Sequence, residues 1–353
     1  MEYIIVQKEN KNFKNSLLNF LLNVQNTKSN QGFVVSSGAL LYLILILCRI
    51  YKVSSSLFSL NLHLKDGQKQ FQDLFLKYQS MFKISMKISN FHFETQVTQG
   101  TQRTQGTQGT QEVQESQGIQ GAQGFQLGQR EQRIIKRLQK NYPLDQAGIL
   151  FNSKNSKKDE LTITQILQFQ GIWKYPFQKI QPAFEFKTLK MWGSTVEMMY
   201  LVNGFFLYHE DENGEYLILE YANSSLGFCL FLPKNIGLSI LLENNLQEKF
   251  DRLITGQRSW VNVGIPKFDA RFTWNLQPFL SLFPEFQSSE LKGSFHQEII
   301  LRINDLSQVS ENILTKPTEE KSKIFLADHS FRYDLIDLEN RLTLFSGVFD
   351  GYN

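Results

Sequence analysis

The chain has 353 residues, 41% hydrophobic, 13% aromatic and 20% charged, so wholesale disorder is excluded. Length allows one large mixed domain or two of about 150 residues each. Lys+Arg 37 against Asp+Glu 34 leaves a net charge of +3 with no basic block, which excludes an electrostatic nucleic-acid footprint. Cys48 and Cys229 are the two cysteines; two exclude a disulfide scaffold and a multi-cysteine zinc site, and both read as small buried hydrophobes.

Residues 1–12 carry a short apolar run and no cleavage-site pattern, so the expected compartment is the cytoplasm. Phe13, Leu17, Leu18 and Leu21 recur at helical spacing. The run ALLYLILILC at 39–48 is too short for a membrane span, which needs about 20 residues, and reads as a core helix. Phe71, Leu74 and Phe75 give a second amphipathic stretch, and residues 82–93 look like one or two strands. From 96 to 132 the chain is a Gln/Gly/Thr low-complexity insertion with little to bury, predicted to be disordered.

From Arg133 onward the pattern is strand-rich. Residues 163–169 and 217–221 have strand character, and GFCLFL at 227–232 is apolar on both faces and stopped by Pro233, as in a buried strand. Leu242, Leu246, Phe250 and Leu253 keep helical spacing within 240–253. Residues 259–268 and 298–303 alternate like strands, and 306–323 reads as a long exposed loop. Residues 331–336 and 342–349 form a terminal hairpin about a turn at 337–341. Helices first and strands later, without a βαβ rhythm, predict an α+β fold.

Catalytic motifs are absent: there is no Walker A, GxGxxG, HExxH, CxxC or GxSxG. His63, His92, His209, His296 and His329 show no metal-ligand spacing. Asp328-His329-Ser330 has triad residue types, but neighbours on a strand point to opposite faces and cannot build the relay alone. The acidic pairs Glu210-Asp211 and Glu319-Glu320 read as solvated. No enzyme, cofactor or metal is implied.

A family pattern does run through the second half. Gln168-Phe169-Gln170-Gly171-Ile172-Trp173-Lys174-Tyr175-Pro176-Phe177 resembles the serpin segment Y-F-K-G-x-W-x-x-P-F. Val196-Glu197-Met198-Met199, then Gly204-Phe205-Phe206, then residues 217–221 and CLFLPK at 229–234 are similar to V-x-M-M … G-x-F … V-L-E-L-P-Y … I-L-L-P. Ile265-Pro266-Lys267-Phe268 matches L-P-K-F. Phe325-Leu326-Ala327-Asp328-His329-Ser330-Phe331 resembles F-x-A-D-H-P-F with Ser330 for proline, and Leu344-Phe345-Ser346-Gly347-Val348-Phe349 resembles L-F-x-G-R-V without its arginine. Phe33-Val34-Val35-Ser36 is similar to the family's F-F-S-P-x-S, with Ser37 and Ala39 in place of the proline and second serine. The 96–132 tract sits where the family has a strand and a helix, and between Phe151 and Leu161 there is no room for the helix across the front of the main sheet.

This resemblance implies a single serpin-like domain over 1–353: a large, mostly antiparallel central sheet, further sheets, an N-terminal helical region, and an exposed reactive loop near the C-terminus. The implied function is inhibition of serine endopeptidases by suicide trapping. The loop is cut, inserts as a new central strand and drags the acylated protease with it. The implied partner is a serine protease, trypsin-like if Lys321 is the bait residue. No nucleic acid or membrane is involved, and the protein acts as a monomer. An extracellular location is the alternative, as for many of the family.

The expected loop leaves near Ile303-Asn304-Asp305 and returns at Phe325. Counting forward by family spacing puts the scissile bond at Lys321-Ser322; counting back from Asp328 puts it near Glu319. A basic residue before a small one favours Lys321-Ser322, although Lys321 also reads as one lysine among several on a solvated loop. Where the family hinge is Gly-Thr-Glu-Ala-Ala-Ala-Ala-Thr, this chain has Ser307, Gln308, Val309, Ser310, Glu311 and Asn312, then Ile313 and Leu314. On insertion Gln308, Ser310, Asn312 and Leu314 face the core, and each unpaired amide costs on the order of 1–3 kcal/mol. Pro317 removes a ladder donor. Gln297 falls where the family has a buried histidine, with His296 one place off on the other face. Two functions stay open: a suicide-trapping inhibitor, and a non-inhibitory interaction protein on the same scaffold.

Overall fold

The computed structural model describes residues 32–36, 40, 56–57, 62–63, 83–89, 161–190, 193–242, 246–281, 293–307 and 321–351. The expected first helix, Cys48, the 96–132 tract and the stretch between Phe151 and Leu161 lie outside the described residues.

The strands, in chain order, are β1 (Phe33–Val35), β2 (Ser56–Leu57), β3 (Leu62–His63), β4 (Lys83–Ser89), β5 (Leu161–Gln170), β6 (Lys179–Lys187), β7 (Gly193–Glu210), β8 (Gly214–Glu220), β9 (Leu226–Pro233), β10 (Arg258–Asn275), β11 (Gly293–Ile303), β12 (Lys323–Leu326), β13 (Phe331–Asp337) and β14 (Leu342–Phe349). Three short helices are described: α1 (Leu238–Leu241), α2 (Leu246–Ile254) and α3 (Gln277–Leu280). The helical spacing read across 240–253 is thus split between α1 and α2, and Leu242, Leu246, Phe250 and Leu253 are all buried as that spacing requires.

Ten strands follow one path, β1-β14-β13-β9-β8-β7-β10-β11-β5-β4, with β12 added on β10 and β6 on β7. The two 18-residue strands β7 and β10 carry that path from one region to the next. The first part of β10 pairs with β7, and from Phe268 onward it pairs with β11. Likewise β7 pairs with β6 and β10 before its last residues, Leu207 to Glu210, pair with β8. Most ladders are antiparallel, as expected; β5–β11 and β10–β12 are parallel.

The core lies around β9, β13 and β14, in which every residue is buried. For β9 the double-sided apolar run dictates this, since it sits between β8 and β13. The predicted C-terminal hairpin forms, β13 against β14, from Phe331↔Phe349 to Asp337↔Leu342. Its turn is closed by the Asp337 carboxylate, which accepts the backbone N–H groups of Glu339 (3.1 Å) and Asn340 (3.3 Å).

Candidate functional site

Segments that carry the motifs quoted above, those of Trp173, Glu197 and Lys267, meet at the end of β11, where the expected loop begins. There the chain leaves the sheet through Asn304–Ser307, held by Trp173. Trp173 N–H donates to the Leu306 carbonyl at 2.9 Å, and its indole Nε1–H donates to the Asn304 carbonyl at 2.5 Å. Ser307, the first hinge residue, bridges Trp173 in parallel. Trp173 is buried, at 2% exposure. It stacks on Tyr221 with ring centroids 4.4 Å apart and meets Phe177 and Phe228 edge-on.

The glycine two residues earlier has a physical reason. A Cβ on Gly171 would lie 2.2 Å from the Tyr221 ring, so no other residue fits beneath that stack. Lys267, from the I-P-K-F segment, sits 3.2 Å from both Glu197 of the V-x-M-M segment and Asp305 at the loop root. Hydrogen bonds to Glu197 and then Asp305 hold its ammonium above the ordinary lysine range.

Below this root runs the seam that insertion would have to open. β5 and β11 are direct parallel neighbours from Leu161↔Gly293 to Gln170↔Arg302, so the sheet is closed along all ten residues of β5. Gln297, on β11, ties that strand to the segment just after β1. Fully buried, its Oε1 accepts the Ser36 N–H at 3.0 Å and its Nε2–H donates to the Ser36 carbonyl at 3.2 Å. Ser36 in turn donates its hydroxyl to the Leu344 carbonyl at 2.7 Å. The amide supplies one donor and one acceptor and does not titrate, so the tie is insensitive to pH. His296, on the other face, is partly exposed.

At the far end of the loop Lys321 is exposed, and the Ser322 hydroxyl donates to Asn203 Oδ1 at 2.8 Å. β12 follows at once, with Ile324 69% exposed. The remaining hinge residues Gln308, Val309, Ser310, Glu311 and Asn312, together with Pro317 and Glu319, lie outside the described residues. Asn203, 119 residues from Ser322 in sequence, gave no signal in the chain itself.

The triad residue types do not form a relay. His329 Nδ1 lies 2.6 Å from Asp328 Oδ1 and Nε2 lies 2.7 Å from the Pro233 carbonyl oxygen. Ser330 instead donates its hydroxyl to Asp350 Oδ1 at 2.5 Å and its N–H to the Lys187 carbonyl at 3.0 Å. Proline, the family residue here, could make neither bond. One expectation is corrected. Asp211 is not simply solvated: its carboxylate meets Lys249 Nζ at 2.9 Å and accepts the Asn213 and Gly214 N–H groups, closing the β7–β8 turn. Glu210 is exposed and paired with Lys234 at 3.0 Å.

Comparison with known proteins agrees with this geometry. A family model described as Serpin (serine protease inhibitor) matches residues 146–284. The chain is 23% identical over 235 residues to an uncharacterized serpin-like protein of Acanthamoeba polyphaga mimivirus, covering 58% of this chain and 57% of that one. It is 27% identical over 210 residues to an uncharacterized serpin-like protein of Thermococcus kodakarensis, covering 53% and 49%. The chain therefore spans about half the length of these relatives. Among solved structures it resembles maspin, with a TM-score of 0.69 and 15% identity over 99% of both chains. The chain has a serpin-like α+β fold, and its sequence is similar to the serpin family model over residues 146–284.

Proposed function

We propose that this protein presents the segment between β11 and β12 as bait to trypsin-like serine proteases, cut at Lys321-Ser322, and that it traps them poorly. The bait reading is carried by the exposure of Lys321 between two fixed ends, Leu306 on Trp173 and Ser322 on Asn203. Surface segments anchored at both ends are common sites of protease attack. The match to the serpin family model over residues 146–284 supports a protease as the partner.

The poor trapping is supported by the hinge. Insertion has to separate β5 from β11 and then bury Gln308 and Asn312 in the gap, with Pro317 lacking a ladder donor. In the alternative, a suicide trap, the gain from the new strand exceeds those costs. Incubation with trypsin, read on a denaturing gel, separates the two. The expected result is a chain cut after Lys321 with no detergent-stable complex. A covalent band at the summed mass of both proteins would restore the trap.

A further inference from the structure

The returning end of the loop lands on an irregularity shared by β7 and β10. Their pairing shifts register between Val261 and Val263, and Asn203 beside it has a φ of 55°. Asparagine tolerates that left-handed conformation because its short side chain bonds locally. Asn262 Oδ1 fixes the backbone there by accepting the Asn203 N–H at 2.8 Å. The side chain of Asn203 is thereby free to hold Ser322, whose hydroxyl it accepts at 2.8 Å.

Beyond Ser322 the chain is already in register on β10, Lys323 opposite Val261 and Ile324 opposite Asn262. Cross-strand partners share a face, and Val202, next to the buried Leu201, points the same way. Ile324 and Val202 are 69% and 49% exposed on that face. The three residues that a protease takes on the leaving side of the bond, Ser322, Lys323 and Ile324, are thus tied to β7 and β10, the first by its hydroxyl and the other two by strand pairing.

We propose that Asn203 is a positioning residue for the bait bond: it seats Ser322 on the sheet and slows net cleavage at Lys321-Ser322. The inference rests on the bait reading above. In acylation the Lys321 carbonyl carbon leaves the Ser322 nitrogen for the protease's serine oxygen, and the serine proton passes to the departing amine. While Ser322 stays seated, that amine remains beside the ester. It attacks back, re-forms the peptide bond and returns the proton to the protease's serine. Without the seat the amine moves off and water completes hydrolysis.

The test uses the full chain and trypsin, following the appearance of the new N-terminus that cleavage after Lys321 creates. Asn203→Gly suits the backbone conformation and removes the acceptor, whereas Ser322→Ala removes the donor. Each variant is expected to raise the rate about three- to fivefold, the scale of one modest hydrogen bond. The double variant should be no faster than either single one, and Asn203→Asp, which keeps the acceptor, should stay within about twofold of wild type. Wild-type rates in both single variants, or effects that multiply in the double, overturn the seat and leave the bait reading standing. If no variant is cut after Lys321, the bait reading falls and the seat with it.

Discussion

Replacing Asp334 with alanine should destabilise the fold by about 3–5 kcal/mol, the usual cost of removing one partner from a buried ion pair. Asp334 is fully buried on β13, and its Oδ2 accepts Arg332 Nε–H at 2.8 Å. Arg332, itself 1% exposed, also donates from Nη2 to Asp334 Oδ1 at 3.3 Å and from Nη1 to the Leu241 carbonyl at 3.3 Å. Ser346, on β14, donates to the same carboxylate. The alanine variant strips the guanidinium of both carboxylate contacts where water does not reach. Removing both charges together, as Arg332→Met with Asp334→Leu, should cost far less, since apolar replacement of a whole buried pair is often close to neutral. Chemical denaturation of the two variants checks this. A loss below about 1 kcal/mol in Asp334→Ala would mean that the pair is not buried as described.

Trp173→Ala should cost a similar amount, about 3–5 kcal/mol, as expected for emptying a buried aromatic site. It removes the stack on Tyr221 and the indole bond to Asn304 that fixes the loop root. Trp173→Phe keeps most of the volume and loses the N–H donor, so it should cost about 1–2 kcal/mol. Equal losses in the two variants would place the energy in the hydrogen bond rather than in packing.

Much of this root was legible in the chain because each motif residue has a local reason to be there. Gly171 is needed under Tyr221, Trp173 on top of it, and Lys267 between two carboxylates. β9 and the hairpin followed from apolar runs and a turn. Other features escaped because their causes are distant in sequence or contrary to pattern. β13 reads F-R-Y-D-L-I-D, yet all of it is buried, because the charges pair inside and alternation fails as a guide. The Gln297–Ser36 tie spans 261 residues; the sequence marked Gln297 as a departure from the family but could not reveal its partner. The seat at Asn203 depends on a register shift between two strands, and periodicity carries no trace of it.

The central claim is that cutting the loop does not drive it into the sheet, and thermal unfolding of the cut chain tests it most directly. Insertion would add a strand between β5 and β11, now paired along their length, and a chain strained before the cut would gain greatly from it. Here the gain is opposed by two buried amides and one missing donor, several kcal/mol if each costs about 1–3 kcal/mol. After trypsin cleavage at Lys321-Ser322, the melting temperature should stay within about two degrees of the intact chain, a change of under ~1 kcal/mol. A rise of tens of degrees would contradict the account and show that the hinge inserts despite its sequence.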